Sequence, residues 1–196
     1  MIKVDQSAQH FWAQRGIGAG FQSVLFTDVR SAEEMADCVR IVRPETPEAG
    51  GINGVKWTRI AYMHDTGTPA YVQALNDIVI AVMIEKKSAA EQIEEILSVP
   101  GLDMIQWGPS DFALSYGMPG QGRSEEINTI ERRVIETALD MGILPRAELR
   151  HARDAQRYLD MGVRHFCMGA DIAILYEYWR TEGEGLRNIV AEADSQ

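Results

Sequence analysis

Short apolar runs alternate along the chain with longer segments in which apolar residues recur at helical intervals. Six runs have the length and residue types of β-strands, and the first is cut short by the chain start: residues 2–4, 23–27, 78–84, 104–107, 143–144 and 165–168. Four segments between them place charged residues opposite an apolar face: residues 32–42, 89–97, 125–141 and 150–161. This alternation predicts a parallel sheet built from βα units.

Residue types at the ends of these segments support the boundaries. Ser31 and Ser88 each stand before an alanine and an acidic residue, an arrangement in which side chains cap the first turn of a helix. Gly142 and Gly162 each lie directly before a predicted strand, where a left-handed residue turns the chain back toward the sheet. Residues 44–69 are rich in proline and glycine and predict a long irregular loop, which is typical of functional segments.

Composition narrows the class of protein. A chain of 196 residues that is 45% hydrophobic can bury a core without cross-links, so residues 1–196 are expected to form one domain. The net charge of −10 and the lack of a basic run favour a small-molecule substrate over nucleic acid. The two cysteines, Cys38 and Cys167, and the absence of a long apolar run predict a cytoplasmic protein that does not enter a membrane.

Two acidic residues follow consecutive predicted strands. Glu85 ends the run 78–84, and Asp111 comes four residues after the run 104–107. In a parallel barrel, the carboxyl ends of the strands form the catalytic face, so these carboxylates could share Mg²⁺ or Mn²⁺ with a bidentate keto acid. Alternatively, Glu85 is an acid favoured by a helix dipole and Asp111 is a helix N-cap.

The turn formed by Gly108, Pro109, Ser110 and Asp111 is a second candidate site. A glycine before proline lets the backbone approach a ligand closely, and the amides of Ser110 and Asp111 can point at a carboxylate. An ordinary strand-to-helix turn would have the same sequence.

Together, these segments resemble the HpcH/HpaI aldolases, a family of metal-dependent pyruvate aldolases. Three stretches are similar to the family's motifs: residues 27–34 with 39–44 and 54–55, residues 83–85, and residues 96–103 with 108–117. The 26 positions from Glu85 to Asp111 also agree with the family's spacing. The resemblance implies a TIM (β/α)8-type barrel, here shortened at its N-terminus to about six βα units.

The resemblance also implies an activity, that of an aldehyde-lyase that breaks or forms a carbon–carbon bond. A 4-hydroxy-2-oxo acid would give pyruvate and an aldehyde. By this likeness Glu85 and Asp111 would bind the divalent cation, Mg²⁺ or Mn²⁺ and alternatively Co²⁺. Gly108, Pro109, Ser110 and Asp111 would hold the pyruvate carboxylate, while the metal polarises the keto oxygen and stabilises the enolate.

Several family features have no counterpart here. Family members begin with two further strands, and the loop after the second carries a histidine used in proton transfer. An arginine that contacts pyruvate is replaced by Lys3, which we include as a candidate catalytic residue, and a glutamine that contacts the substrate is replaced by Met83. None of the four histidines falls on the expected loop: His10, His64, His151 and His165.

Three further expectations remain open at this level. The family's exchanged helices imply a homo-oligomer, with a hexamer as the form suggested by resemblance. Tyr176, Tyr178 and Trp179 are either its contact surface or part of the core, and residues 184–196 predict an amphipathic helix that frays. The alternative functions are a citryl- or malyl-coenzyme A lyase, disfavoured because no basic patch is evident, and a degenerate barrel that acts only in binding or assembly.

Overall fold

Six parallel strands form a single sheet in the order in which they occur along the chain. The structure is a computed structural model that describes residues 1–195. Its strands are β1 (Ile2–Val4), β2 (Ser23–Phe26), β3 (Val79–Ile84), β4 (Met104–Trp107), β5 (Leu144–Leu149) and β6 (His165–Met168). The predicted parallel α/β architecture is therefore confirmed as six parallel units. The sheet is curled, and this brings Lys3 of the first strand and Arg150, which follows the fifth strand, to the wall of the same cavity.

Helices connect the strands. They are α1 (Gln9–Ala19), α2 (Ala32–Val42), α3 (Arg59–Met63), α4 (Pro69–Asn76), α5 (Lys87–Glu91), α6 (Ile93–Leu97), α7 (Pro109–Tyr116), α8 (Glu125–Asp140), α9 (Ala155–Asp160) and α10 (Asp171–Asp194). As predicted, Ser31 caps α2, and its side chain accepts a hydrogen bond from the Glu34 amide. Gly142 and Gly162 follow α8 and α9 with φ of 77° and 92°, as the sequence predicts.

The predicted cap at Ser88 is wrong. Ser88 lies inside α5, which begins one residue earlier, at Lys87. The Lys87 amide donates a hydrogen bond of 2.7 Å to Ser115 Oγ of α7, so a tertiary contact satisfies a free amide at the start of this helix. The predicted helix 89–97 is also divided, because Gln92 has φ −108° and ψ 31° between α5 and α6.

Three other boundaries differ from the sequence prediction. The run 143–144 is the start of the six-residue strand β5, whose buried positions are Pro145, Ala147 and Leu149. Arg146 and Glu148, between these positions, line a polar cavity. The sequence pattern missed the strand because Pro145, Ala147 and Glu148 belong to residue types that are depleted in strands. The loop 44–69 contains α3, and the predicted terminal helix is the end of α10, which begins at Asp171.

The two faces of the sheet have different environments. The outer face packs on the helices through Val24, Phe26, Ile80, Val82, Ile84, Ile105 and Trp107, all of them in the main core. The inner face has a small apolar cluster formed by Leu25, Ala81, Met83 and Met104. Toward the carboxyl ends of the strands, the inner face becomes polar, because the cross-strand row that begins at Met83 continues through Gln106, Arg146 and His165.

The helix α10 lies outside this core. None of its 24 residues is buried. Tyr176, Tyr178 and Trp179 are each more than half exposed, so they are not core residues of this chain. Within residues 1–195, no helix has both the length and the apolar character needed to cross a lipid bilayer.

Candidate functional site

Glu85 follows β3 and is almost completely buried, with 2% of its surface exposed. Its Oε1 accepts a 2.8 Å hydrogen bond from the amide of Asp28, which follows β2. Asp28 has a left-handed backbone with φ of 61°, and this conformation belongs to the turn that presents its amide to Glu85. The carboxylate is thus fixed between the ends of two neighbouring strands, at the edge that the sequence predicted.

Burial raises the pKa of the Glu85 carboxyl above its ordinary value. The hydrogen bond from the Asp28 amide and the charge of Lys3 lower this pKa, whereas the charges of Asp111 and Asp28 raise it. The structure therefore brings Lys3 and Asp111 each within electrostatic reach of Glu85. A cation bound beside Glu85 would offset the cost of burying its charge.

Gly108 is needed because Glu85 packs directly against it. A Cβ atom at position 108 would lie 2.6 Å from Glu85 Cβ and 2.8 Å from Glu85 Oε2. Met83 Cε would be 2.9 Å away. No side chain fits in this space, so the glycine at the end of β4 permits the approach of β3 and β4 at the site.

Asp111 lies in the first turn of α7, with 56% of its side chain exposed. Gly108, not Asp111, is the N-cap of this helix, and the Phe112 amide donates the first helical hydrogen bond to the Gly108 carbonyl at 2.9 Å. Among residues 1–195, no group accepts a hydrogen bond from the amides of Ser110 and Asp111. These two amides are therefore free to bind an anion at the start of α7.

The sequence did not identify Lys86 and Asp28 as members of the site. Lys86 Nζ lies 2.6 Å from Asp28 Oδ1 and 3.9 Å from Asp111 Oδ1. The hydrogen bond from Lys86 lowers the pKa of the Asp28 carboxyl. The available signals were that Lys86 is adjacent to Glu85 and that Asp28 lies in the family-like stretch 27–34. Neither signal indicated the site, because the turn at Asp28 brings this residue there from a distant part of the chain.

A cavity of about 710 Å³ opens at this edge of the sheet. Its wall includes Lys3, Met83 and the whole predicted turn from Gly108 to Asp111. His151 also lines the cavity, which corrects the sequence assignment of this residue to a helix face: it lies between β5 and a short 3₁₀ helix, Ala152–Asp154. The structure places His10 on α1, His64 after α3, and His165 on β6.

The carboxylates of Glu85 and Asp111 offer oxygen ligands of the kind that a hard divalent cation prefers, but they would fill only part of its coordination sphere. In the described residues, no group of three or more histidine, cysteine or acidic side chains has the arrangement of a complete metal site. Glu85 Oε2, unlike Oε1, accepts no hydrogen bond from any of residues 1–195, and the exposed Asp111 carboxylate also has coordination capacity. This arrangement fits an ion that takes its other ligands from water and substrate.

Positive charge is concentrated in the same cavity. Six cationic side chains and three carboxylates line it. The cationic residues are Lys3, Arg123, Arg146, Arg150, Arg153 and Arg157, and the acidic residues are Asp111, Glu148 and Asp154. The chain as a whole has a net charge of −10. Four of the six lie within residues 146–157, but acidic and apolar residues separate them, so the sequence showed no continuous basic run.

Comparisons of the sequence with protein families and with known proteins point to the same family. The model of the family described as HpcH/HpaI aldolase/citrate lyase matches residues 1–177. A hydroxypyruvate/pyruvate aldolase of Paraburkholderia phytofirmans is 28% identical over 170 residues, which cover 85% of this chain and 64% of that protein. A 4-hydroxy-2-oxo-heptane-1,7-dioate aldolase of Escherichia coli is 29% identical over 168 residues, 81% of this chain and 60% of that protein. The chain spans about three fifths of the length of these curated relatives.

Solved structures have the same fold. A HpcH/HpaI aldolase/citrate lyase family protein of Burkholderia cenocepacia superposes with a TM-score of 0.79 at 25% identity, covering 94% of this chain and 73% of that one. A more distant structure, the citrate lyase beta subunit of M. tuberculosis complexed with oxaloacetate and magnesium, has a TM-score of 0.53 at 14% identity. It covers 85% of this chain and 66% of that one.

Proposed function

Since this chain belongs to the HpcH/HpaI aldolase/citrate lyase family, we propose that it is a divalent-metal-dependent carbon–carbon lyase. Its substrate would be a 4-hydroxy-2-oxo acid, which is cleaved to pyruvate and an aldehyde or formed from them. The observation that carries the proposal is the buried Glu85 carboxylate, held by the Asp28 amide with one oxygen left without a hydrogen bond. A buried charge in this condition is costly unless it has a cationic partner.

We assign the metal to Glu85 and Asp111, with Mg²⁺ or Mn²⁺ as the ion and Co²⁺ as an alternative. The magnesium in the distant citrate lyase structure supports this choice of ion. When bound, the cation would polarise the keto oxygen and stabilise negative charge that develops beside it. The charge of Lys3, which reaches Glu85, would act on the same region of the substrate.

We assign the keto-acid carboxylate to the turn formed by Gly108, Pro109, Ser110 and Asp111. The unbonded amides of Ser110 and Asp111 support this assignment, because they are donors at a helix start that need an acceptor. Gly108 would keep this turn close to Glu85, so that the carboxylate and the keto oxygen of one molecule could be held together.

We further propose that residues 1–196 form a single, partial domain of the TIM (β/α)8-type barrel, shortened at its N-terminus to about six βα units, and that it associates with further copies. The exposed apolar residues of α10 support association into a homo-oligomer, with a hexamer as the form that the family resemblance suggests.

Metal-dependent turnover tests the proposal directly. Purified protein should release pyruvate from 4-hydroxy-2-oxoheptanedioate in the presence of Mn²⁺ or Mg²⁺ and lose this activity with a chelator. We expect Glu85→Gln and Asp111→Asn each to reduce kcat by about a hundredfold or more, because each removes an anionic metal ligand. Pyruvate release is followed by a coupled assay, and circular dichroism checks that the variants fold.

Matched controls separate the site from general charge effects. Glu136→Gln and Asp140→Asn make the same chemical changes on the exposed face of α8 and should leave the rate unchanged. Wild-type rates in either site variant, or turnover that is indifferent to metal, would contradict the proposal.

A further inference from the structure

Five arginines line the cavity beside the candidate site, and they differ in how their charges are paired. Arg146 of β5 lies on its floor, where the guanidinium donates a hydrogen bond to Gln106 Oε1 on the neighbouring strand. Gln106 Nε2 is 3.5 Å from Glu148 Oε2 in turn. The strand register places Arg146 beside Gln106, so the guanidinium is held on the inner face of the sheet and is directed into the cavity.

A buried carboxylate orders a second part of the cavity wall. Glu131 of α8 is 1% exposed and accepts hydrogen bonds from Arg157 and from the Tyr158 hydroxyl, the latter at 3.0 Å. Arg123 Nη1 donates to the same hydroxyl at 3.4 Å. This network fixes Arg123 and Arg157 beside the cavity and neutralises one of their two charges.

Arg150 and Arg153 complete the group at the rim. Both are exposed, and neither forms an ion pair within 4 Å of a carboxylate in residues 1–195. They follow β5 directly, at the same edge of the sheet as Ser110 and Asp111. Two unpaired guanidinium groups beside a concave surface are suited to a carboxylate or a phosphate, which they can bind through pairs of hydrogen bonds.

We propose that Arg146, Arg150 and Arg153 form a second anion subsite, which binds a carboxylate or phosphate on the end of the substrate remote from its keto acid. The inference rests on the proposed function, because it takes the turn at Ser110 and Asp111 as the site of the keto-acid carboxylate. The cavity of about 710 Å³ connects the two positions and is large enough for a small chain with an anionic group at each end. The substrate class is therefore a keto acid whose aldehyde half is itself anionic.

Binding measurements test the subsite without turnover. Calorimetric titration of the metal-free protein with succinate and with inorganic phosphate, at fixed ionic strength, should detect binding of at least one of these anions. In the double variant Arg150→Gln/Arg153→Gln, that affinity should fall about ten- to hundredfold, because two charge-assisted contacts are lost. Arg132→Gln removes an exposed arginine of α8 outside the cavity and should bind as the wild type does.

Turnover in the synthetic direction then identifies the source of the anion. Pyruvate is combined with succinic semialdehyde or butanal, and with glyceraldehyde 3-phosphate or glyceraldehyde, in four parallel reactions. The charged aldehyde of one pair should have a kcat/KM at least about tenfold higher than its uncharged counterpart, and the double variant should abolish most of this ratio. A preference in the first pair indicates a carboxylate, and a preference in the second indicates a phosphate.

The outcomes distinguish the subsite from the proposed function. If pyruvate exchanges its methyl protons with deuterated water in a metal-dependent reaction but neither charged aldehyde is preferred, the subsite is wrong and the lyase assignment stands. If exchange is absent and anions bind through Arg150 and Arg153, the lyase assignment fails and the subsite stands. An anion affinity of the double variant equal to that of the wild type, or no binding of either anion, overturns the subsite.

Discussion

At the scale of single residues, the absence of a side chain at Gly108 leaves the space in which the charged side chain of Glu85 packs. Glu85 and Met83 occupy the space in which a Cβ atom at position 108 would lie, within 3 Å in both cases. The sequence identified Gly108 for its approach to a ligand. Its contact in the folded chain is with the candidate metal ligand itself.

We therefore predict that Gly108→Ala displaces Glu85 and reduces both activity and stability. Shifting a candidate ligand by several tenths of an ångström should reduce kcat by about a hundredfold, and the added contact should reduce the free energy of unfolding by about 1–3 kcal/mol. Urea denaturation and the pyruvate-release assay measure the two effects. Gly185→Ala, at a position in α10 with no neighbour within 4 Å, should instead be neutral or stabilising by about 1 kcal/mol. Wild-type activity of Gly108→Ala would contradict the described packing.

The two cysteines differ in environment, although the sequence treated them alike. Cys38 is fully buried in α2, and burial raises the pKa of its thiol to about 12. Cys167 is partly exposed at the end of β6. Both thiols are free.

A thiol titration should therefore find one reactive cysteine in the folded protein. With a chromogenic disulfide reagent at pH 8, Cys167 should react within minutes and Cys38 only after denaturant is added, because a buried thiol is neither ionised nor accessible. Cys167→Ser should have almost no reactive thiol until it unfolds. Rapid reaction of that variant in its native state would show that α2 does not bury Cys38 as described.

At the scale of elements, the ends of helices and strands are joined by side chains from distant segments. Arg43, at the C-terminal end of α2, donates hydrogen bonds to the carbonyls of Ile78 at 2.7 Å, Asn76 at 3.0 Å and Gly101 at 3.1 Å. Its guanidinium also lies 3.6 Å from Asp103, and its side chain is only 12% exposed. One arginine thus links α2 to the residues that precede β3 and β4.

We predict that Arg43→Gln reduces the free energy of unfolding by about 2–4 kcal/mol, since it leaves several carbonyls without their donor and Asp103 without its cationic partner. Thermal or urea denaturation followed by circular dichroism provides the measurement. The control is Arg40→Gln on the same helix, whose ion pair with Asp37 is exposed and should contribute about 0.5 kcal/mol or less. Equal effects of the two substitutions would mean that the Arg43 contacts are not structural.

Local sequence patterns predicted helices and strands correctly where only contacts within the element decided its bounds. The period of α2 and its cap at Ser31 are both local, and both were predicted correctly. Strand β5 was reduced to two residues, because Pro145, Ala147 and Glu148 belong to residue types that are depleted in strands. The start of α5 was misplaced because the helix begins before Ser88, and the amide of its first residue, Lys87, donates to Ser115 from another element.

At the scale of the whole molecule, α10 is a 24-residue helix without a buried face. Its large apolar residues are between 51% and 72% exposed, namely Ile172, Ile174, Leu175, Tyr176, Tyr178, Trp179, Leu186, Ile189 and Val190. An exposed apolar surface of this extent is typical of an interface. It agrees with our proposal of a homo-oligomer.

We predict that the protein is larger than a monomer in solution and that α10 is responsible. Light scattering after size-exclusion chromatography should give a mass that is a multiple of 21.9 kDa for the chain. Tyr178→Ser/Trp179→Ser should lower this mass, because it removes two aromatic contacts from the helix. Tyr62→Ser, an exposed aromatic on α3, is the control and should leave the mass unchanged. A monomeric wild-type protein would contradict the prediction.

The sequence by itself determined the order of strands and helices, the family, and the position of Glu85 and Asp111 after consecutive strands, because each of these depends on residue period and on spacing along the chain. The tertiary structure alone decided that Asp28 and Lys86 join the two acids, that His151 faces the cavity, and that Lys3 and Arg123 line the same cavity as the arginines of residues 146–157. The physical reason is that a parallel sheet brings together strand ends that are tens of residues apart. Charge or hydrogen-bonding capacity that converges in this way has no local signature in the sequence.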